Sequence, residues 1–256
     1  MDLKEWPGRD FQRHPWETVR ANFFLRLLHD HVSADGFSVL DVGSGDGFFA
    51  RRLLAQFPEV SGLTCFDLGY DAAWLASAVD SPRGPFFTAT KPQTTFDLIL
   101  MLDVLEHIQD DEATLNEVAT TWLKPGGWLL LSVPAWQGLF SDHDEMLGHQ
   151  RRYAPAALHA LVNAAKLTTV ARGELFSSLL LSRGMAKLRE IVRSRIQRSP
   201  ANGPPPKSLG QWTHGPRLTS AVVAALSFDT RCSHVAARLG LPWAGLSTWV
   251  LAKRHD

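Results

Sequence analysis

The chain has 256 residues, with 26 lysines plus arginines against 26 aspartates plus glutamates, so no global field selects nucleic acid or an anionic surface, and any basic site has to be local. Hydrophobic residues at 45% and charged residues at 20% exclude a disordered chain, and the length suits one α/β domain carrying an insertion. Cys65 and Cys232 are too isolated for a zinc site or a disulfide framework; a polar start and the lack of any apolar run of roughly 18 to 20 residues predict a cytoplasmic protein.

Glu17 to Val32 places Phe23, Leu27 and Leu28 at helical spacing, which predicts an amphipathic helix packed on the sheet that follows. Ser38 to Val42 reads as a strand, and Phe48 to Ala55 beyond a glycine cluster reads as a helix. Gly62 to Asp67 predicts a second strand, Asp71 to Val79 a helix, Pro85 to Thr88 a third strand and Phe96 to Leu102 a fourth. Glu112 to Leu123 is helical in pattern, Pro125-Gly-Gly127 a turn, and Trp128 to Val133 a fifth strand that Pro134 ends. Pro155 to Ala165 predicts a helix, Leu167 to Leu181 contains a sixth strand, and Leu246 to Ala252 is the last. Strands alternating with helices imply a Rossmann-like, seven-stranded, mostly parallel sheet with helices on both faces.

A helical cap is expected before that last strand. Met185, Leu188, Val192 and Ile196 share a helical face in 183–198, where Arg183, Lys187, Arg189, Arg193, Arg195 and Arg198 meet one acid, Glu190. Ser199 to Pro206 cannot continue that helix and reads as a linker to a second helical stretch, Leu218 to Leu239. The chain is therefore divided, within one domain, into an N-terminal helical segment 1–37, a core 38–182, a cap 183–240 and a last strand 241–256. A basic amphipathic helix is most often a solvated face, yet it also suits peripheral contact with the inner membrane face.

Asp41-Val-Gly-Ser-Gly-Asp-Gly47 stands where a strand turns into a helix, where glycines let the backbone turn and approach a ligand. A dinucleotide fingerprint counted from Gly43 needs its third glycine at Phe48; it arrives one residue early, at Gly47, which disfavours a nicotinamide oxidoreductase. Asp41 would repel a pyrophosphate but suits a ligand with an ammonium and a sulfonium, and Asp67, at the end of the second strand, can accept two ribose hydroxyls.

On these residues the chain resembles the class I S-adenosylmethionine-dependent methyltransferases. Val39 to Gly47 is similar to their first motif, Asp67 to their second acidic position, and Phe96-Asp-Leu-Ile99 and Leu123 to Leu129 to the signatures at the fourth and fifth strands; the resemblance covers about 38 to 135. It implies S-adenosylmethionine held by Asp41, Gly43, Ser44, Gly45, Gly47, Asp67, Leu68, Leu102 and Asp103. The chain departs from the family at Thr88 to Lys91, where an acidic residue commonly meets the adenine amine. Asp103 to His107, Val133-Pro-Ala135 and His143 to Tyr153 are similar to a bacterial subgroup associated with glycans or lipid-linked metabolites, whose tryptophan- and arginine-rich start resembles His14 to Arg20.

Methyl transfer is an in-line displacement, so the enzyme aligns the acceptor and, for a hydroxyl, removes a proton. His107, His143 and His149 are the candidate bases. Arg151, Arg152 and Tyr153 are candidates for an anionic acceptor, and Trp16 and Arg20 for closing the site from the N-terminal side. His107 has a competing role as a cap for a helix starting near Asp110. Glu106, His107 and His143 form an alternative cation set, after the glutamate-histidine pair of related quinone-pathway methyltransferases, although no metal is expected. The leading expectation is methyl transfer to an oxygen, less so a nitrogen, of a small-molecule, sugar or lipid-linked acceptor; the alternative is a non-catalytic binding subunit. Nucleic acid is not expected.

Overall fold

The computed structural model describes residues 12–32, 36–78, 82–196, 212–241 and 243–255. Pro15 opens helix α1 (Pro15–His31), a first-turn position where its missing N–H costs nothing. Val19, Phe23, Phe24, Leu27 and Leu28 bury the inward face of that helix. The strands that follow are β1 (Phe37–Val42), β2 (Val60–Phe66), β3 (Phe86–Thr88), β4 (Phe96–Leu102), β5 (Leu123–Pro134), β6 (Leu167–Leu175) and β7 (Ser247–Arg254). Among the described residues they form one seven-stranded sheet in the order β3-β2-β1-β4-β5-β7-β6. All pairs are parallel except those of β7, which runs antiparallel to both its neighbours.

The helices between strands are α2 (Phe48–Gln56), α3 (Ala72–Ser77), α4 (Asp111–Glu117), α5 (Asp142–Leu147) and α6 (Pro155–Ala164). Two longer ones, α7 (Ser177–Ile196) and α8 (Pro216–Arg238), lie between β6 and β7. One sheet face packs against α1, α2 and α8 through Phe24, Leu53, Leu226 and the fully buried Trp249. The opposite face packs against α4 and α6 through Leu115, Leu158 and Val162. The central strands β1 and β4 are buried on both faces, as their short apolar runs imply, while the edge strands β3 and β6 leave Phe86 and Val170 exposed.

The structure corrects several expected boundaries. α4 stops at Glu117 and a wider π turn, Val118–Trp122, replaces its expected continuation. β5 starts at Leu123 rather than Trp128: Leu123 pairs with Phe96, the chain loops out through Gly126 at φ +72°, and Trp128 resumes pairing at Leu98. The sixth strand, expected somewhere within 167–181, spans Leu167–Leu175, and Leu179-Leu-Leu181 belongs to α7. The end of the basic stretch and the proline-rich linker lie outside the described residues. Among the described residues, no helix is long and apolar enough to cross a membrane.

The sheet order reverses between β1 and β4, so their carboxyl ends open a crevice, the usual ligand position in such sheets. The site stands there.

Candidate active site

The turn after β1 is shaped by three left-handed residues, Gly43 at φ +63°, Gly45 at +54° and Gly47 at +69°. A Cβ on Gly43 would meet Val104 Cγ2 at 2.5 Å, and one on Gly47 would meet Phe87 at 2.8 Å, so both positions need glycine for space as well as for backbone conformation. The Gly43 amide donates to the carbonyl of Phe66 at the end of β2 (2.7 Å). Tyr70 supports the turn from below: its hydroxyl donates to the Gly45 carbonyl (2.6 Å) and lies 2.8 Å from Ser44 Oγ. The Tyr70 ring stacks on Trp74 at 4.1 Å. Nothing in the sequence pattern singled Tyr70 out, because its part is played across a turn and not within a motif.

Asp67 accepts from the Gly45 amide (2.9 Å) through one carboxylate oxygen and from the Gly69 amide (2.8 Å) through the other. Each oxygen keeps a second lone pair for a ligand hydroxyl. Leu68 beside it is exposed. Asp41 is buried, and burial, reinforced by the neighbouring charges of Asp67 and Asp46, pushes its carboxyl up to about 7.

Asp41, Gly43, Ser44 and Leu102 line the cleft together with Glu17, Arg20, Asp46 and Phe48. Helix α1 straps that cleft. Arg13 pairs with Asp46 on one side and with Glu17, and its guanidinium lies over the Phe48 ring at 3.8 Å. Arg20 pairs with Asp103 at the end of β4 on the other side and stacks over Trp16 at 4.7 Å. Burial brings the Arg20 guanidinium down to about 10, while Glu17 and Glu106 oppose that shift, so Arg20 links the cleft to the next cluster.

That cluster follows β4. Asp103 takes a left-handed backbone (φ +58°) and a 3-10 turn, Leu105–His107, comes next. Glu106 is fully buried, and neither carboxylate oxygen accepts a hydrogen bond from another residue; burial raises its carboxyl to about 8. The chain after β5 returns to this turn, where the Gln150 amide donates to the Glu106 carbonyl (2.7 Å). His149 thereby stands edge-on to His107, ring centres 4.7 Å apart. One ligand atom each from Glu106, His107 and His149 lies within 4.8 Å of the others.

Helix α5 was not foreseen, and it organises what surrounds His149. Ser141 and Asp144 form a capping box at its start, and Gly148 at φ +82° ends it. Asp144, fully buried, accepts from His149 Nδ1 (3.0 Å), Arg152 Nε (2.8 Å) and Arg183 (3.0 Å). Burial works to raise this carboxyl, but the hydrogen bonds from His149, Arg152 and Ser141 outweigh it and hold Asp144 well below the usual range. Because a carboxylate only accepts, Nδ1 of His149 carries a hydrogen, and in the neutral ring Nε2 is the acceptor.

His143 is half-buried beside Asp144 and Arg183, with its imidazole lowered chiefly by burial, and it does not join the Glu106 cluster; His149 takes the place expected of it. The cationic acceptor site expected at Arg151 to Tyr153 is not formed by free groups. Arg151 pairs with Asp111 (2.7 Å), Arg152 with Asp144 (2.7 Å), and the Tyr153 hydroxyl donates to Asp111 (2.7 Å). Asp144, in the same stretch, and Asp111, 42 residues before Tyr153, intercept them. The cap expected of His107 is supplied instead by Asp110, which accepts from the Ala113 amide (3.0 Å).

Residues 4–173 match the family model described as a methyltransferase domain. A ubiquinone biosynthesis O-methyltransferase of Chromobacterium violaceum is 26% identical over 134 residues, 50% of this chain and 57% of that protein. A second, from Idiomarina loihiensis, is 28% identical over 188 residues, 65% of this chain and 75% of that protein. The chain spans about half the length of the first curated relatives it matches. Among solved structures, an S-adenosylmethionine-dependent methyltransferase from Mesorhizobium loti is similar in fold, with a TM-score of 0.52 at 14% identity over 93% of this chain and 97% of that one.

Proposed function

Because the chain belongs to the methyltransferase-domain family of class I, S-adenosylmethionine-dependent enzymes, we propose that it moves a methyl group onto an oxygen of a small-molecule, sugar or lipid-linked acceptor. The observation that carries the choice of oxygen is Glu106, buried without a partner from another residue, beside the His107 and His149 pair. A hydroxyl acceptor must lose a proton as the new bond forms, and a base following β4, whose carboxyl end borders the cleft, serves that need. Two relatives named as O-methyltransferases support the same reading.

The donor side fits a cationic adenosyl ligand: a glycine turn that a Cβ would fill, Asp41 for positive charge and Asp67 for ribose hydroxyls. S-adenosylmethionine, when bound, supplies a methyl carbon already activated by its sulfonium. The protein contributes alignment and proton removal. Asp144 orients His149 so that Nε2 accepts the acceptor proton, and the Asp144 carboxylate, held charged, stabilises the imidazolium that results; the Glu106 carboxyl, made more basic by burial, offers the proton a second acceptor once it is ionised. A divalent cation would find one carboxylate and two imidazoles at Glu106, His107 and His149, and would supply Lewis-acid activation of the hydroxyl there.

The convergence of Glu106 with His107 and His149 argues against a non-catalytic binding subunit. The test is to measure donor binding by calorimetry and methyl incorporation from labelled S-adenosylmethionine into phenolic, sugar and lipid-linked acceptors. Glu106→Gln and His149→Ala are expected to keep donor affinity and to lower transfer roughly 100-fold. Transfer undiminished in both variants would overturn the assignment of the base; loss of donor binding in neither Asp41→Ala nor the wild type, because neither binds, would overturn the donor site.

A further inference from the structure

Helix α7 carries its residues the wrong way round for a helix that serves only its own domain. Its body-facing side holds a cation: Arg183 contacts Ser141 and Asp144 of the α5 start, and Leu180, Gly184 and Lys187 are half-buried along the same side. Its outer side is apolar. Leu181, Met185, Leu188 and Val192 recur at intervals of four, three and four residues, and they are 73%, 50%, 60% and 47% exposed. At about 100° per residue these four fall within an arc of about 60°, one continuous stripe. A contiguous apolar stripe of this kind marks an interaction surface.

The charge along the helix selects the occupant. By sequence, residues 183–198 hold six of the chain's 26 cations, Arg183, Lys187, Arg189, Arg193, Arg195 and Arg198, against the single acid Glu190, in a chain whose total charge is zero; Arg183 and Lys187 lie on the body-facing side, and Arg189 is exposed next to the apolar stripe. Two copies of such a helix laid stripe to stripe would bring like charges together. An aliphatic stripe with exposed Arg189 beside it, in a segment of net positive charge and with no tryptophan or tyrosine to anchor a protein partner, suits an anionic lipid surface: acyl chains take the stripe and phosphates meet the positive charge.

We propose that the outer face of α7 docks on an anionic phospholipid bilayer, with Leu181, Met185, Leu188 and Val192 entering the acyl boundary and Arg189 at the headgroups. Arg183 fastens this helix to α5, the segment that leads to His149, so docking sets the acceptor side of the site close to the lipid interface. The docking stands without the methyl-transfer reading, since no donor is needed for it.

The full chain, without donor, is mixed with vesicles of phosphatidylcholine alone or of phosphatidylcholine and phosphatidylglycerol in equal parts, and the sedimented fraction is measured. The wild type is expected to sediment with the anionic vesicles and not with the zwitterionic ones. The double variant Leu181→Ser, Leu188→Ser should lower the partition coefficient at least about tenfold. Arg189→Gln should lower it about fivefold. These side chains are exposed, so both variants should melt like the wild type, which circular dichroism checks. No sedimentation of the wild type would overturn the proposal. So would sedimentation that the leucine pair leaves unchanged, or a dimer that the same pair dissolves in the absence of vesicle binding. Donor calorimetry on the same samples keeps a failure here separate from a failure of the donor site.

Discussion

In the proposed donor site, one buried carboxylate, Asp41, is placed to couple ligand and proton. Burial raises its carboxyl to about 7, so near pH 6 most molecules hold it neutral and near pH 8 most hold it charged. A cationic donor prefers the charged form; its affinity should therefore rise roughly tenfold between those pH values, and Asp41→Asn should flatten the rise, both read by calorimetry. Stability moves the other way. A carboxyl raised in the folded state contributes stability that is full below the unfolded value and lost as pH rises through about 7, so the unliganded protein should melt lower at pH 8 than at pH 6, and less so in Asp41→Asn. The geometry of the glycine turn was legible in the sequence because it is local: Asp41, the three glycines and Asp67 lie in one strand-turn-helix-strand stretch. The pairing of charges around it was not. Arg20 meets Asp103 from 83 residues away, and Tyr153 meets Asp111 from 42, so no spacing rule could show that those charges are already satisfied.

Among the elements, α5 and α7 depend on one carboxylate. Asp144 ties His149, Arg152 and Arg183 together, and Asp144→Asn would leave two guanidinium groups beside a neutral amide. The expected cost is about 3–5 kcal/mol in denaturant unfolding, with earlier proteolytic cleavage in α7 than in the rest of the chain. Asparagine would also offer His149 a different hydrogen-bond partner, and with it a different tautomer. Elements with a strong apolar period were legible: β4 spans Phe96–Leu102, as its pattern requires. Those built by contacts were not. Ser141 to Leu147 has too few apolar residues for a helical period, and its capping box closes with Asp144 where the usual signal is glutamate or glutamine. The Leu179 to Leu181 run reads equally well as strand or helix, since three apolar residues carry no period.

For the molecule as a whole, Trp249 in β7 is the largest fully buried side chain among the described residues, and it touches Phe23 and Phe24 of α1 (ring centres 5.3 and 6.4 Å). Trp249→Ala should cost about 3–5 kcal/mol of folding stability. Trp249→Phe should cost under about 1.5 kcal/mol, because the indole N–H it removes has no hydrogen-bond partner. Unfolding curves of the two variants separate lost packing from lost polarity. β7 also fixes when the sheet can be finished. β6 joins the sheet through β7, and β7 in turn fills the space beside β5. During synthesis every other strand therefore leaves the ribosome before the one that unites them: β5 waits with an open edge, and β6 waits unattached, while both long helices are made. A nascent chain halted after α8 has its donor turn complete but an unfinished sheet, exposed to any strand that reaches that edge first.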